Sequence, residues 1–359
     1  MKCIAGDKPR EAPGGFPAWR GVGLTILAAI LLSACAQPSN PRPLPTQGIS
    51  GGKPAWTGLG LTGSLILIVP GQNGLEVARL DLATGAMQVV FPAAPQAILS
   101  SALASPDGKQ LLLVYAPPSN DPNQIVYTSL YLLPANGSGT PRPVLTAVSA
   151  QDAYFAPAWS NDGNSIYTSH FHSGGSNAQG SFSIDQVSLD GQVRPLIQDG
   201  EWPSISPDGK SLAYIATSQE GDNNLYQAGA DGSDPHPALP KGAFLAVDAH
   251  FYAPDGESLV FSAVNPSPAT SPSAWSFPFG VEVASAHNVP SDWYSLALGS
   301  GKISRLTNLN DTGMYASLSP DRKKVAFIAQ SGIYTMNLDG SQLNQISELA
   351  ATGTVDWVK

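Results

Sequence analysis

Ser105-Pro106-Asp107-Gly108-Lys109, followed by the apolar run Leu111–Tyr115, decides the fold, because the chain repeats it. The pattern returns as Ser160-Asn161-Asp162-Gly163-Asn164, Ser206-Pro207-Asp208-Gly209-Lys210, Ala253-Pro254-Asp255-Gly256-Glu257 and Ser319-Pro320-Asp321-Arg322-Lys323. An apolar segment follows each copy: Ser165–Thr168, Leu212–Ile215, Leu259–Phe261 and Val325–Ile328. In such a turn Pro presets φ, Asp bonds its own backbone and Gly accepts positive φ at the end. A type I turn closed by a left-handed Gly joins two strands in a tight hairpin. Arg322 stands where the other four copies carry Gly, so a strained residue is expected there.

A second set of turns lies farther along each unit: Asn136-Gly137, Asp190-Gly191, Asp231-Gly232 and Asp339-Gly340, with looser versions at Ala83-Thr84-Gly85 and Gly299-Ser300-Gly301. Strands such as Leu130-Tyr131-Leu132-Leu133 and Ile333-Tyr334-Thr335-Met336 lead into them. Each unit therefore reads as four short strands joined by hairpins. The turn aspartates are spaced by 55, 46, 47 and 66 residues. A period of about 45 with four strands per unit is that of a β-propeller blade, the longer intervals holding insertions. One four-stranded sheet cannot bury both faces, whereas a closed ring of them can.

Six units are expected, and the first, Leu65–Val90, begins directly with an apolar strand. The C-terminal Thr354-Val355-Asp356-Trp357-Val358-Lys359 resembles Pro157-Ala158-Trp159 ahead of its turn, so it reads as the inner strand of that first blade. Such a closure hides strand edges that an open ring exposes. Pro54-Ala55-Trp56-Thr57 is the rival for the same place.

The repeat as a whole, Ser-Pro-Asp-Gly-Lys, an apolar strand, Leu or Ile before Tyr, then Asp-Gly-Ser and Leu306-Thr307, resembles the WD40-like repeat of the TolB propeller family over about residues 60–359. The resemblance implies an all-β, six-bladed propeller of four-stranded antiparallel blades. The α/β domain that precedes the propeller in TolB has no counterpart in this chain's tether.

The N-terminus carries a second message. Lys2, Lys8, Arg10 and Arg20 precede an uncharged apolar stretch from Gly21 to Leu32, and small residues then end in Cys35. That is the order of a secretory signal, and a stretch of about 12 apolar residues falls short of the ~20 that cross a bilayer. Leu32-Ser33-Ala34-Cys35 resembles the lipobox of bacterial lipoproteins, which implies cleavage before Cys35 and acylation of that residue. Acyl chains at ~0.8 kcal/mol per buried CH₂ hold a protein on a membrane. Residues 1–34 are thus expected as signal peptide, 35–59 as a lipidated tether rich in Pro, Gly, Ser, Gln and Asn, and 60–359 as the propeller. The expected location is the extracytoplasmic side of the bacterial cell envelope.

Removing residues 1–34 takes away four of 18 Lys/Arg and two of 27 Asp/Glu, which leaves a formal charge of −11. No basic patch is present, so nucleic acid is not an expected partner. Cys3 falls in the signal and Cys35 carries the lipid, so the mature chain has no disulfide.

Catalytic signals are sparse. Gly48-Ile49-Ser50-Gly51-Gly52 matches a nucleophile elbow in form, but it lies in the tether, without the strand and helix the motif needs. In His170-Phe171-His172 the two imidazoles share a face of an extended strand, and His250 falls on the expected inner strand of the fifth blade. Spacing marks no further ligand beside these histidines, so neither metal nor cofactor is assigned.

The connections between second and third strands leave one face and are very unequal. The fifth, Val264–Ser291, is long, Pro-rich and aromatic, with Trp275, Phe277 and Phe279. Loops beyond about 12–15 residues are usually functional or disordered. These aromatics either form a lip for a partner or pack the loop on the rim. The candidate partner-binding residues are Trp275, Phe277, Phe279, His170, His172 and His250. The expectation is a non-catalytic binder of a protein or glycan. The alternative is a polysaccharide lyase or hydrolase at the same face, which converging carboxylates or histidines at the channel mouth would favour.

Overall fold

The structure, a computed structural model, describes residues 54–119, 127–145, 151–174, 180–217, 223–264 and 289–359. They form six four-stranded antiparallel sheets. Blade 1 contains β1 (Ser64–Pro70), β2 (Leu75–Asp81) and β3 (Met87–Pro92); blade 2 contains β4 (Ile98–Ala104), β5 (Gln110–Ala116), β6 (Ser129–Pro134) and β7 (Arg142–Pro143). Blade 3 contains β8 (Asp152–Trp159), β9 (Ser165–His172), β10 (Ser181–Ser188) and β11 (Val193–Gln198). Blade 4 contains β12 (Gly200–Ile205), β13 (Ser211–Thr217), β14 (Asn223–Gly229) and β15 (His236–Pro237). Blade 5 contains β16 (Ala246–Tyr252), β17 (Ser258–Val264), β18 (Asp292–Ala297) and β19 (Lys302–Arg305). Blade 6 contains β20 (Tyr315–Leu318), β21 (Lys324–Ala329), β22 (Gly332–Asn337) and β23 (Asn344–Ser347). The last strand, β24 (Thr352–Val358), pairs with β1 and becomes the inner strand of blade 1.

The ring closes because each inner strand packs against the next, from β24 through β4, β8, β12, β16 and β20 back to β24. Leu65 lies opposite Trp357, as the sequence comparison with Pro157-Ala158-Trp159 predicts. Pro54–Thr57 is not a strand: it leads into a 3₁₀ turn at Thr57–Leu59, and the Trp56 indole donates to the Leu82 carbonyl at 2.7 Å.

Successive side chains of a strand point to opposite faces, and here both faces are buried. Leu65, Leu67 and Val69 enter a core shared with blade 6, where they meet Ile328 and Ile333. Ile66 and Ile68 enter the core shared with blade 2, beside Leu111 and Leu113. Six such cores lie between the six neighbouring pairs of blades. This is why the second strands read as unbroken apolar runs instead of alternating ones.

The repeated turns have the chemistry their residues predict. Ser105 Oγ donates to Asp107 Oδ1 at 2.6 Å, the Lys109 amide donates to the same oxygen at 3.0 Å, and the Gly108 amide donates to the Ser105 carbonyl at 2.8 Å. The Ser105 hydroxyl is the main cause holding the Asp107 carboxyl down at about 2. Gly108 has φ of 70° and Arg322 has φ of 58°, so Arg322 does occupy the left-handed conformation.

Candidate functional site

Antiparallel order sorts the connections onto two faces. Inner strands turn into second strands through the Ser-Pro-Asp-Gly turns, and third strands turn into fourth through the Asn-Gly and Asp-Gly turns, all on one face, the turn face. The opposite loop face receives the second-to-third connections and the passages from each outer strand to the next inner strand.

On the loop face of blade 3, β8 begins and β9 ends, and the register places Asp152 opposite His172 and Tyr154 opposite His170. Asp152 Oδ1 lies 3.1 Å from His170 Nε2 and 2.6 Å from His172 Nδ1. The other nitrogen of His170, Nδ1, meets Asp185 Oδ2 at 2.9 Å. Asp185 is fully buried and accepts a further bond from Ser183 Oγ at 2.8 Å. Tyr154 stacks on the His170 ring with centroids 4.4 Å apart and planes within 9°. The ring of His170 is thus fixed in position and rotation, while the His172 side chain is 46% exposed.

Burial disfavours a charged His170, but Asp185 and Asp152 outweigh it and hold the imidazole above the usual histidine range. Burial likewise pushes the Asp152 carboxyl up, and the bonds to His172 and His170 overcome it and hold the group below its ordinary value.

A second group lies inside the channel. The pairing of inner strand with second strand shifts register in blades 1 to 5, at bulges that turn side chains out of the ladder. In two of these bulges a residue other than Gly takes positive φ, Ala156 at 45° and Trp202 at 58°. The left-handed conformation costs such a residue roughly 1–2 kcal/mol. It is held by contacts: the Trp202 amide donates to Ser169 Oγ at 2.7 Å, and the indole packs 6.2 Å from Phe155 and 5.8 Å from Tyr315. Tyr315 belongs to blade 6, which is not a neighbour of blade 4, so these rings meet across the channel.

Three inner strands also carry carboxyls: Glu201 on β12, Asp248 on β16 and Asp356 on β24. Burial, aided by the charge of Asp248, pushes Glu201 up to about 7. Burial also raises the Asp356 carboxyl, whose Oδ2 accepts from the Ala104 amide at 2.8 Å. His250 is lowered by burial, and its Nδ1 lies 3.3 Å from the Asp248 carbonyl.

The structure therefore brings His170 and His172 together and places His250 elsewhere, on the inner strand of blade 5. Asp152, Asp185, Trp202 and Tyr315 are absent from the sequence reading. Asp152 had a usable signal: counting outward from the turn at Asp162, it lies within one residue of pairing with His172. Cys35, Trp275, Phe277 and Phe279 lie outside the described residues.

No family model matches the chain, and no curated protein matches it. Solved structures do. TolB from Acinetobacter baumannii matches with a TM-score of 0.57 and 17% identity, over 82% of this chain and 66% of that one. This chain thus spans just under two thirds of that protein. A putative TolB from Agrobacterium tumefaciens matches with a TM-score of 0.56 and 18% identity, over 83% and 95% of the two chains. A chain of a nidogen/laminin complex matches with a TM-score of 0.56 and 12% identity, over 81% and 97%. At these identities the likeness is one of fold, and the fold is a TolB-like six-bladed β-propeller.

Proposed function

We propose that this chain is a lipid-anchored cell-envelope propeller that binds a protein or glycan partner on its loop face and performs no chemistry of its own. The observation that carries this reading is the meeting of Trp202 and Tyr315 inside the channel. With aromatic rings across the axis, a ligand is received on a broad rim instead of a deep cleft. Amides and aromatics on such a rim suit face-on recognition of a peptide or sugar surface. Cys35 supplies the membrane anchor and residues 36–53 the reach, on the extracytoplasmic side. The insertion after Val264, with Trp275, Phe277 and Phe279, supplies the lip. A formal charge of −11 on the mature chain argues against nucleic acid.

One observation favours a second reading, a polysaccharide lyase or hydrolase at the loop face: Asp152, His170 and His172 converge there.

Two changes test the proposal. Replacing residues 265–290 by a short Gly-Ser hairpin is expected to keep the melting temperature and abolish partner capture, since the ends of the segment are neighbouring strands of one blade. Cys35→Ser is expected to release the protein from membranes with partner capture intact. Capture unchanged by the loop replacement, or membrane association unchanged by Cys35→Ser, overturns the corresponding half of the reading. Chain-shortened products from an envelope polysaccharide would establish the enzyme instead.

A further inference from the structure

We propose that Asp152, His170 and His172 hold one divalent first-row transition-metal ion of the zinc class at the loop face of blade 3. The inference stands whether the propeller binds a partner or acts on one. Three donor atoms, one from each residue, lie within 4.8 Å of one another. They come from two paired strands, β8 and β9, so the sheet register sets their spacing. Two imidazoles and one carboxylate are a donor set for zinc and its neighbours, whereas magnesium and calcium take oxygen ligands.

The surroundings supply what a metal-binding histidine needs. Such a histidine commonly gives its other ring N–H to a carboxylate, which fixes its tautomer and rotation. Asp185 is that carboxylate, buried, held by Ser183 and 2.9 Å from His170 Nδ1. With that proton directed to Asp185, His170 Nε2 turns a lone pair toward Asp152 Oδ1 at 3.1 Å. A lone pair facing a carboxylate oxygen is repulsive unless a proton or a metal cation lies between them, and the metal takes the place of that proton. Zinc bonds of about 2.0–2.2 Å place neighbouring donors about 3–3.5 Å apart. The His170–Asp152 separation already fits. The His172–Asp152 contact at 2.6 Å must open by less than 1 Å, and His172, half-exposed at the end of β9, has the room. Three protein ligands leave the remaining positions on the exposed His172 side for water or an oxygen donor.

The test uses the full chain, purified in detergent without a histidine tag and stripped with chelator. Titration with Zn²⁺ by calorimetry is expected to show one equivalent bound, and Co²⁺ to give visible d–d absorption. His172→Ala and Asp152→Asn are expected to abolish both signals. Asp185→Asn is expected to weaken binding 10–100-fold. His236→Ala, at the turn-face start of β15, is expected to change nothing. Circular dichroism melts check the folding of each variant. If Asp152→Asn fails to fold, His172→Ala decides, because it alters a half-exposed side chain. Absence of stoichiometric binding would overturn the proposal and leave His170 as an imidazolium paired between two aspartates. Binding of equal strength in His172→Ala would overturn it too.

Discussion

Replacing Trp357 by alanine is expected to weaken the whole ring, because this residue lies where the two ends of the propeller meet. Trp357 is 5% exposed, packs into the core between blades 6 and 1, and donates its indole N–H to the Thr62 carbonyl at 2.8 Å. Its backbone amide also takes the Ser317 hydroxyl of blade 6 as acceptor at 3.0 Å. Truncating a buried Trp costs about 3–5 kcal/mol. Against a total stability of roughly 5–15 kcal/mol, that is a large share. At about 1.5–2 °C per kcal/mol for a propeller of about 300 residues, the melting temperature falls by roughly 5–10 °C. Deleting Val355–Lys359 goes further, since it also bares β1 and removes the Asp356 bond to the Ala104 amide of blade 2. The truncated protein is expected not to fold cooperatively. Urea unfolding followed by tryptophan fluorescence and circular dichroism measures both. A loss below about 1 kcal/mol for Trp357→Ala, or an unchanged melt for the truncation, would refute closure through β24 as the element that holds the ring.

Two further outcomes follow from the geometry. Glu201, with its carboxyl pushed up to about 7 from 4.5, is protonated in the folded protein where the unfolded chain has lost the proton. Its contribution is present below about pH 4.5 and is lost as the pH rises through 7. Stability should therefore fall by about 2 kcal/mol between pH 5 and pH 8 on this account, and Glu201→Gln should remove that slope; equal slopes in both proteins would contradict it. Arg322→Gly relieves a left-handed residue at φ 58° and is expected to be neutral or stabilising by up to about 1 kcal/mol, and marked destabilisation in urea would show that the side chain, not the backbone, governs that turn.

The fold was legible because its signals are local. Each of the five turns is read within five residues, and their recurrence marks five of the six blades without knowledge of any contact. The closure was legible for the same reason, since Trp357 repeats a position that Trp159 occupies in blade 3. The site was only half legible. His170 and His172 share a strand face, so their proximity follows from period two alone. Asp185 is 15 residues away and Trp202 reaches a blade that is not its neighbour, and no local pattern marks either. The bulges in the inner strands hide the rest: they shift the pairing of five blades and turn residues such as Trp202 into the channel.

Recognition on the loop face is open to direct test. Photo-cross-linking in the intact cell tests it most directly, with a benzophenone side chain placed at exposed positions of either face. Gln96, Leu245 and Glu348 lie in the passages between blades on the loop face, and Lys109, Asn164 and Lys323 lie in the turns opposite. The loop-face positions are expected to capture a common protein or glycan-bearing partner, and the turn-face positions are not. Capture confined to Lys109, Asn164 and Lys323, or equal on both faces, would contradict it.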